Sequence, residues 1–170
     1  MEPDPSLIET VREHVKKRFE AKDRQFLFGA ERVDLKLVRH LRFEARARQF
    51  AFVIDEPAER GGTDEGPNPL AYFIAGAASC LMNQYAVLAL TRGVHFDDFE
   101  MTARGHFNRE LGGAFNEIIY DVKISSVAPE HTLLEISNEA ERMCYAHNTL
   151  RKAGVKMVTN IRLNGKEVSR

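Results

Sequence analysis

Two cysteines, Cys80 and Cys144, are the residues of this 170-residue chain best suited to do chemistry. They lie far apart in sequence, so they do not form a CxxC unit. Each falls inside a stretch that reads as a buried helix. Free cysteine is among the most buried residue types, so two packing thiols is one reading. A redox pair is another. It requires the two helices to cross with their Cα atoms roughly 4.4–6.8 Å apart, and one sulfur must be a thiolate. A free thiol titrates near ~8.5, and a nearby arginine or imidazolium lowers that value. Arg39, Arg42 and His147 are the candidates, His147 lying three residues past Cys144. A Cys–His acyl-transfer arrangement is a third possibility, but no third orienting residue stands out. No zinc-type Cys/His spacing occurs, and no metal or cofactor is expected.

The elements that must position these thiols follow from the pattern. Gly66–Val94, GPNPLAYFIAGAASCLMNQYAVLALTRGV, opens on a turn and continues as one helical run with Cys80 in its middle. Asn68 has the form of an N-cap, with Pro69 at the first helical position. Gly93 follows Arg92 as a C-cap. The run is apolar almost all round, so it is either buried or membrane-spanning. Its length would span a bilayer. Asn83 and Gln84 near the middle, the small cluster Ala75–Ser79 and the charge of the remaining chain favour a buried central helix. Gly76 and Ala77, one turn before Cys80, would let another backbone approach the sulfur. The second helix is predicted over Pro129–Ala153, with Leu133, Ile136, Ala140, Met143, Cys144, His147 and Leu150 on one inward stripe and Gly154 ending it.

Around these helices the period changes. Pro5–Asp23 is predicted as an amphipathic surface helix with a Ser6/Glu9 capping box. From Glu31 to Ile54 apolar and polar residues alternate, which predicts two or three antiparallel strands with one face buried. Asp55–Pro69 is a loop rich in Pro, Gly and Asp, read as turn chemistry and little else. Phe96–Asn108 and Ala114–Ser126 are strands joined by a Gly112-Gly113 hairpin turn, with the Ile119/Tyr120 pair among the apolar positions. Val155–Leu163 is a last strand, and Asn164-Gly165 begins a final turn. The layout is α+β with mostly antiparallel strands, divided as an N-terminal helical extension (1–30) and a main domain (31–170).

Composition narrows the function classes. A net charge of −1 with no basic block argues against nucleic-acid binding. The amino terminus has no apolar leader, so a cytoplasmic location without membrane association is expected. There, two cysteines are reduced or redox-active rather than a structural staple.

GPNPLAYFIAGAASC resembles the first-cysteine segment of the osmotically-inducible-protein-C and organic-hydroperoxide-resistance (OsmC/Ohr) family. Cys144-Tyr145-Ala146-His147-Asn148 looks like that family's second-cysteine motif, and the loop IDEPAERGGTDEGPNP and the ending RLNG also fit its broader branch. The resemblance covers roughly residues 33–168. It implies an OsmC-like fold, with sheets wrapped around two central helices in an interlocked homodimer. It implies a cysteine peroxidase: Cys80 attacks a hydroperoxide to become a sulfenic acid, Cys144 resolves it to a disulfide, and an external dithiol reduces that. An arginine from the early strands stabilises the reactive thiolate in the family, and the match selects Arg42, with Arg39 next. Three positions depart from the pattern. Leu70 stands where hydroperoxide-type members carry glutamate, Tyr145 where proline is usual, and His147 where serine is usual. Glu65 precedes the turn, so the family's Arg–Glu pairing is not expected in its standard form. The alternative function is a weakly catalytic or non-catalytic relative that binds a small apolar ligand at the dimer interface, lined by Phe73, Leu81, Met82, Met143 and Tyr145. Thiol hydrolysis or disulfide exchange is the remaining option.

Overall fold

The computed structural model describes residues 5–20 and 29–168. Its contacts divide it into two compact units, Lys16–Phe73 and Ile74–Arg170 with Met1–Val15. Helix α1 spans Pro5–Glu20; the expected continuation to Asp23 lies outside the described residues. The residues before Pro5 lie outside the described ones.

The smaller unit holds three antiparallel strands: β1 (Asp34–Arg39), β2 (Arg42–Ala47) and β3 (Phe50–Ile54). The expected buried face exists only in part. Ala45 and Ile54 are buried, but β1 is exposed along its whole length, with Leu35 at 60% and Leu37 at 58%. Alternation predicts a covering layer, and among the described residues none covers Leu35 and Leu37 of β1, the edge strand bonded to β2.

Helix α2, Pro69–Arg92, runs without a break. In the larger unit β4 (Asp98–Asn108) and β5 (Ala114–Ser125) form the expected hairpin, with Gly112 and Gly113 both at positive φ. Helices α3 (Glu130–Met143) and α4 (Tyr145–Lys152) carry the chain to β6 (Lys156–Leu163), which pairs parallel to β5. Asn164 and Gly165, both at positive φ, then turn the chain into a further short strand, β7 (Lys166–Val168). That pair is a two-residue hairpin turn, and the sequence pattern beyond it was too short to mark a strand. The sheet order is β4-β5-β6-β7, so the fold is α+β with four antiparallel pairings and one parallel.

The core of this unit lies on one sheet face. Ile118, Tyr120, Val122 and Ile124 of β5 alternate inward and meet Leu81, Tyr85 and Leu88 of α2 and Leu133, Ile136 and Ala140 of α3. Each fully buried aliphatic side chain there contributes ~1.5–3 kcal/mol. Among the described residues, α2 is the one helix long and apolar enough to cross a membrane. Its second half enters this core through Leu81, Tyr85 and Leu88, whereas Leu70 and Phe73 of its first half are exposed, so the expected burial holds only in part.

Candidate active site

Cys80 sits about three turns into α2, and the helix starts as expected. The Asn68 side chain accepts the Ala71 N–H at 2.9 Å, and Gly93 ends the helix at φ +68. Cys80 is partly exposed, whereas Cys144 is fully buried. The second helix departs from expectation. It breaks at Cys144, which has extended backbone angles (φ −74, ψ 119) and joins α3 to α4. Two side chains hold the joint. Asn148 Nδ2 donates to the Arg142 carbonyl at 2.8 Å, occupying an acceptor at the end of α3. Cys144 Sγ accepts the His147 N–H at 3.4 Å and so caps α4. Asn competes for backbone groups in this way and is disfavoured inside helices, so Asn148 was the available signal of the break.

The two sulfurs lie 3.4 Å apart, with the Cys144 thiol donating toward Cys80. They are not joined by a disulfide. A disulfide needs ~2.05 Å, so the atoms are about 1.4 Å from bonding distance. The hydrogen bond to Cys80 holds the Cys144 proton, and burial adds to it; together they push the Cys144 thiol far above the ordinary thiol range, against the pull of the His147 N–H. Both effects favour the thiol form of Cys144. Tyr85 of α2 and Ser137 of α3 share a buried hydrogen bond of 2.6 Å that ties the two thiol-bearing helices together.

Among the described residues a Cβ on Gly76 would meet nothing within 4 Å, so the room expected one turn before Cys80 is present. Leu81 is fully buried in the core and lines no ligand cleft. Met82 and Met143 are partly covered, and Tyr145 is 66% exposed.

In the smaller unit Arg42 is held by carboxylates. Its Nε donates to Glu65 at 2.7 Å, and its Nη1 lies 3.3 Å from Glu44; Arg39 also pairs with Glu65. An Arg–Glu pairing therefore exists despite Leu70, and Glu65 supplies it. What the sequence reading missed is Asp55. Its buried carboxylate accepts from the Glu56 N–H (2.9 Å), the Thr63 N–H (3.0 Å), the Thr63 hydroxyl (2.6 Å) and the Glu65 N–H (3.2 Å). The Thr63 hydroxyl, followed by the backbone donors, lowers the Asp55 pKa against the opposing effect of burial. Gly62 is required in this loop, since a Cβ there would stand 1.7 Å from the Glu56 carbonyl oxygen. The loop is thus an organised mount for Glu65 rather than simple turn chemistry. An aspartate directly after the apolar run FAFVI was its one sequence signal.

Tyr120 and His147 complete the surroundings of the thiols. His147 is buried, and its ring lies 6.4 Å from that of Tyr120, centroid to centroid. Tyr120 is fully buried, and its hydroxyl has no hydrogen-bond partner among the described residues. Burial first, then negative charge on Cys144, Cys80 or Glu141, pushes its pKa well above the usual phenol value. The sequence reading counted Tyr120 as an apolar strand position. The opposite face of the sheet bears a polar cleft of about 770 Å³ between Arg104, Asp121, Lys123, Asn160 and Arg162, whose Arg104–Asp121 and Arg162–Glu167 pairs satisfy one another.

The family profile described as OsmC-like protein matches residues 62–160, more than half of the chain. The chain belongs to the OsmC-like family. No curated protein shows a significant sequence match. Among solved structures, this OsmC-like chain is similar to an OsmC-like protein from Mycoplasma pneumoniae, with TM-score 0.71 and 22% identity over 79% of this chain and 97% of that one. It is similar to an organic hydroperoxide resistance protein OsmC from Legionella pneumophila, with TM-score 0.60 and 17% identity over 79% of this chain and 98% of the other. An organic hydroperoxide resistance protein from Elizabethkingia anophelis gives TM-score 0.61 and 17% identity over 82% and 98%. At these identities the likeness is one of fold.

Proposed function

We propose that this OsmC-like protein is a cysteine peroxidase acting on organic hydroperoxides or hydrogen peroxide. The observation that carries the reading is the approach of the Cys80 and Cys144 sulfurs to 3.4 Å. The Cys80 thiolate attacks the distal peroxide oxygen. The O–O bond breaks, alkoxide leaves and takes up a proton, and Cys80 becomes a sulfenic acid. Cys144 then displaces hydroxide from that sulfur and forms the disulfide, and an external dithiol restores both thiols. Arg42, oriented by Glu65, is assigned the stabilisation of the Cys80 thiolate. Hydroperoxide resistance in the names of two structural neighbours supports the substrate class. The chain works as a homodimer in the cytoplasm, and the exposed apolar edge strand β1 supports a second copy as its cover.

The test is hydroperoxide treatment of reduced protein, followed by intact mass and non-reducing peptide mapping. Loss of both thiols with a Cys80–Cys144 bridge is the expected result, and Cys144→Ser is expected to retain a sulfenic acid at Cys80 that over-oxidises. Thiols that stay reduced would favour the binding-protein alternative. Trapping at Cys144, with Cys80 inert, would reverse the two roles.

A further inference from the structure

The two sulfurs sit 3.4 Å apart on separate elements, Cys80 within α2 and Cys144 at the joint of α3 and α4. That spacing is a ruler for any atom that binds both at once. With element–sulfur bonds of ~2.3 Å, a linear two-coordinate ion holds its sulfurs about 4.6 Å apart and a tetrahedral one about 3.8 Å. A pyramidal three-coordinate atom, with bond angles a little wider than a right angle, holds them about 3.4 Å apart at the same bond length. Trivalent arsenic has that shape, and it prefers soft sulfur donors.

The donor set decides between ligands. Among the described residues, no group of three or more His, Cys, Asp or Glu side chains could hold a metal ion. The pair therefore offers two ligands, where a structural zinc site takes four. An arsenical that already carries one carbon substituent needs two sulfurs and no more. The substituent needs room, and the room lies beside Cys80. That residue is partly exposed, and one turn before it a Cβ on Gly76 would meet nothing within 4 Å among the described residues. The Tyr85–Ser137 hydrogen bond ties α2 to α3. The second sulfur is thus in place when the first has bound, and the second bond forms within one molecule.

We propose that Cys80 and Cys144 form a chelating site for trivalent organoarsenicals of the type R–As=O. The site goes beyond the peroxidase reading and does not depend on it. In the step, R–As=O and the two thiols give R–As bonded to both sulfurs, and one water. Two As–S bonds form, while the As=O bond and two S–H bonds break. Both thiol protons leave on the oxygen. Arsenic stays trivalent and the sulfurs keep the oxidation level of thiols, so no oxidant or reductant is consumed. The His147 N–H that reaches Cys144 Sγ at 3.4 Å still finds an acceptor on the bound sulfur.

The experiment titrates the reduced full chain with phenylarsine oxide and follows intact mass and the count of reactive thiols. One phenylarsenic group per chain is expected, with both thiols lost from the count. A dithiol such as dimercaptopropanol is expected to release it, and an excess of monothiol is not. Cys80→Ser and Cys144→Ser are each expected to weaken binding by at least about 100-fold, the low end of what a tethered second ligand supplies. Circular dichroism checks that the variants fold, and the thiol count on wild type decides the matter without them. No adduct on reduced wild type, an adduct that consumes one thiol, or a folded variant that binds as tightly as wild type would overturn the site. Arsenite, which lacks the carbon substituent, is expected to bind more weakly; equal binding would indicate a third ligand from the chain and overturn the two-thiol assignment. Wild type that chelates the arsenical but keeps its thiols under hydroperoxide would overturn the peroxidase reading and leave the site standing. Wild type that forms the disulfide but takes no arsenical would do the reverse.

Discussion

The Tyr85–Ser137 hydrogen bond is the most direct handle on how the fold aligns its thiols. Tyr85 lies five residues past Cys80, about 7.5 Å along the helix at 1.5 Å per residue. Its 2.6 Å bond crosses to a fully buried serine on α3, the helix that ends at Cys144. Tyr85→Phe removes that bond, worth ~0.5–1.5 kcal/mol net, and takes a partner from a buried hydroxyl, which raises the total to about 1.5–3 kcal/mol. Removing both hydroxyls, as Tyr85→Phe with Ser137→Ala, takes away both sides of this bond. The double variant is expected to be less destabilised than the sum of the singles by ~1–2 kcal/mol. If about 1 kcal/mol of the loss falls on helix alignment, disulfide formation after a hydroperoxide pulse slows about fivefold. Urea titration of the four proteins measures the cycle, and quenched-flow mapping of the disulfide measures the alignment. A stability unchanged by Tyr85→Phe, or strictly additive variants, would refute the view that this bond locks the helices.

Three further outcomes follow from the same geometry. Asp55 has a depressed pKa in the folded chain, so its contribution is full above the unfolded value near ~3.9 and is lost as pH falls through the folded value. Hydrogen exchange, corrected for intrinsic rates, is expected to show the Thr63 and Glu65 amides losing protection over that acid range, and at every pH in Asp55→Asn; unchanged protection in the variant would remove Asp55 as the organiser of the loop. Arg42→Ala is expected to raise the Cys80 pKa and slow its alkylation at neutral pH several-fold, with an unchanged alkylation–pH profile moving the role to Arg39 or to neither residue. Sedimentation is expected to give a dimer at micromolar concentration, and a folded monomer there would leave the exposed Leu35 and Leu37 without the cover assigned to them.

Much of this was legible in the sequence because it depends on local chemistry. Asn68, Pro69 and Gly93 bound α2 as their residue types require, and Gly112-Gly113 turns the hairpin. The approach of Cys80 and Cys144 was open from spacing alone, and family resemblance was needed to favour it. What stayed hidden depends on long-range placement or on one side chain acting against its apparent element. β1 carries the alternation of a half-buried strand, but alternation does not say whether the covering layer belongs to the same chain. Cys144 has the stripe of a continuous helix, and one asparagine side chain turns it into a joint. Tyr120 looks apolar in a strand pattern, because a pattern records the ring and ignores the hydroxyl.

The parallel pairing of β5 with β6 sets an order of events for a chain emerging from the ribosome. β6 can dock only after the whole crossover through α3 and α4 has been made, and Cys144 lies inside that crossover. Cys80 is synthesised 64 residues ahead of it, an interval of about 3–13 s at ~5–20 residues per second. On the peroxidase reading proposed above, the thiol on α2 exists during those seconds without the one assigned to protect it from the irreversible end of the oxidation ladder. A nascent chain under peroxide stress is therefore exposed at Cys80 before the fold has supplied its own remedy, and the damage would be fixed before the molecule was complete.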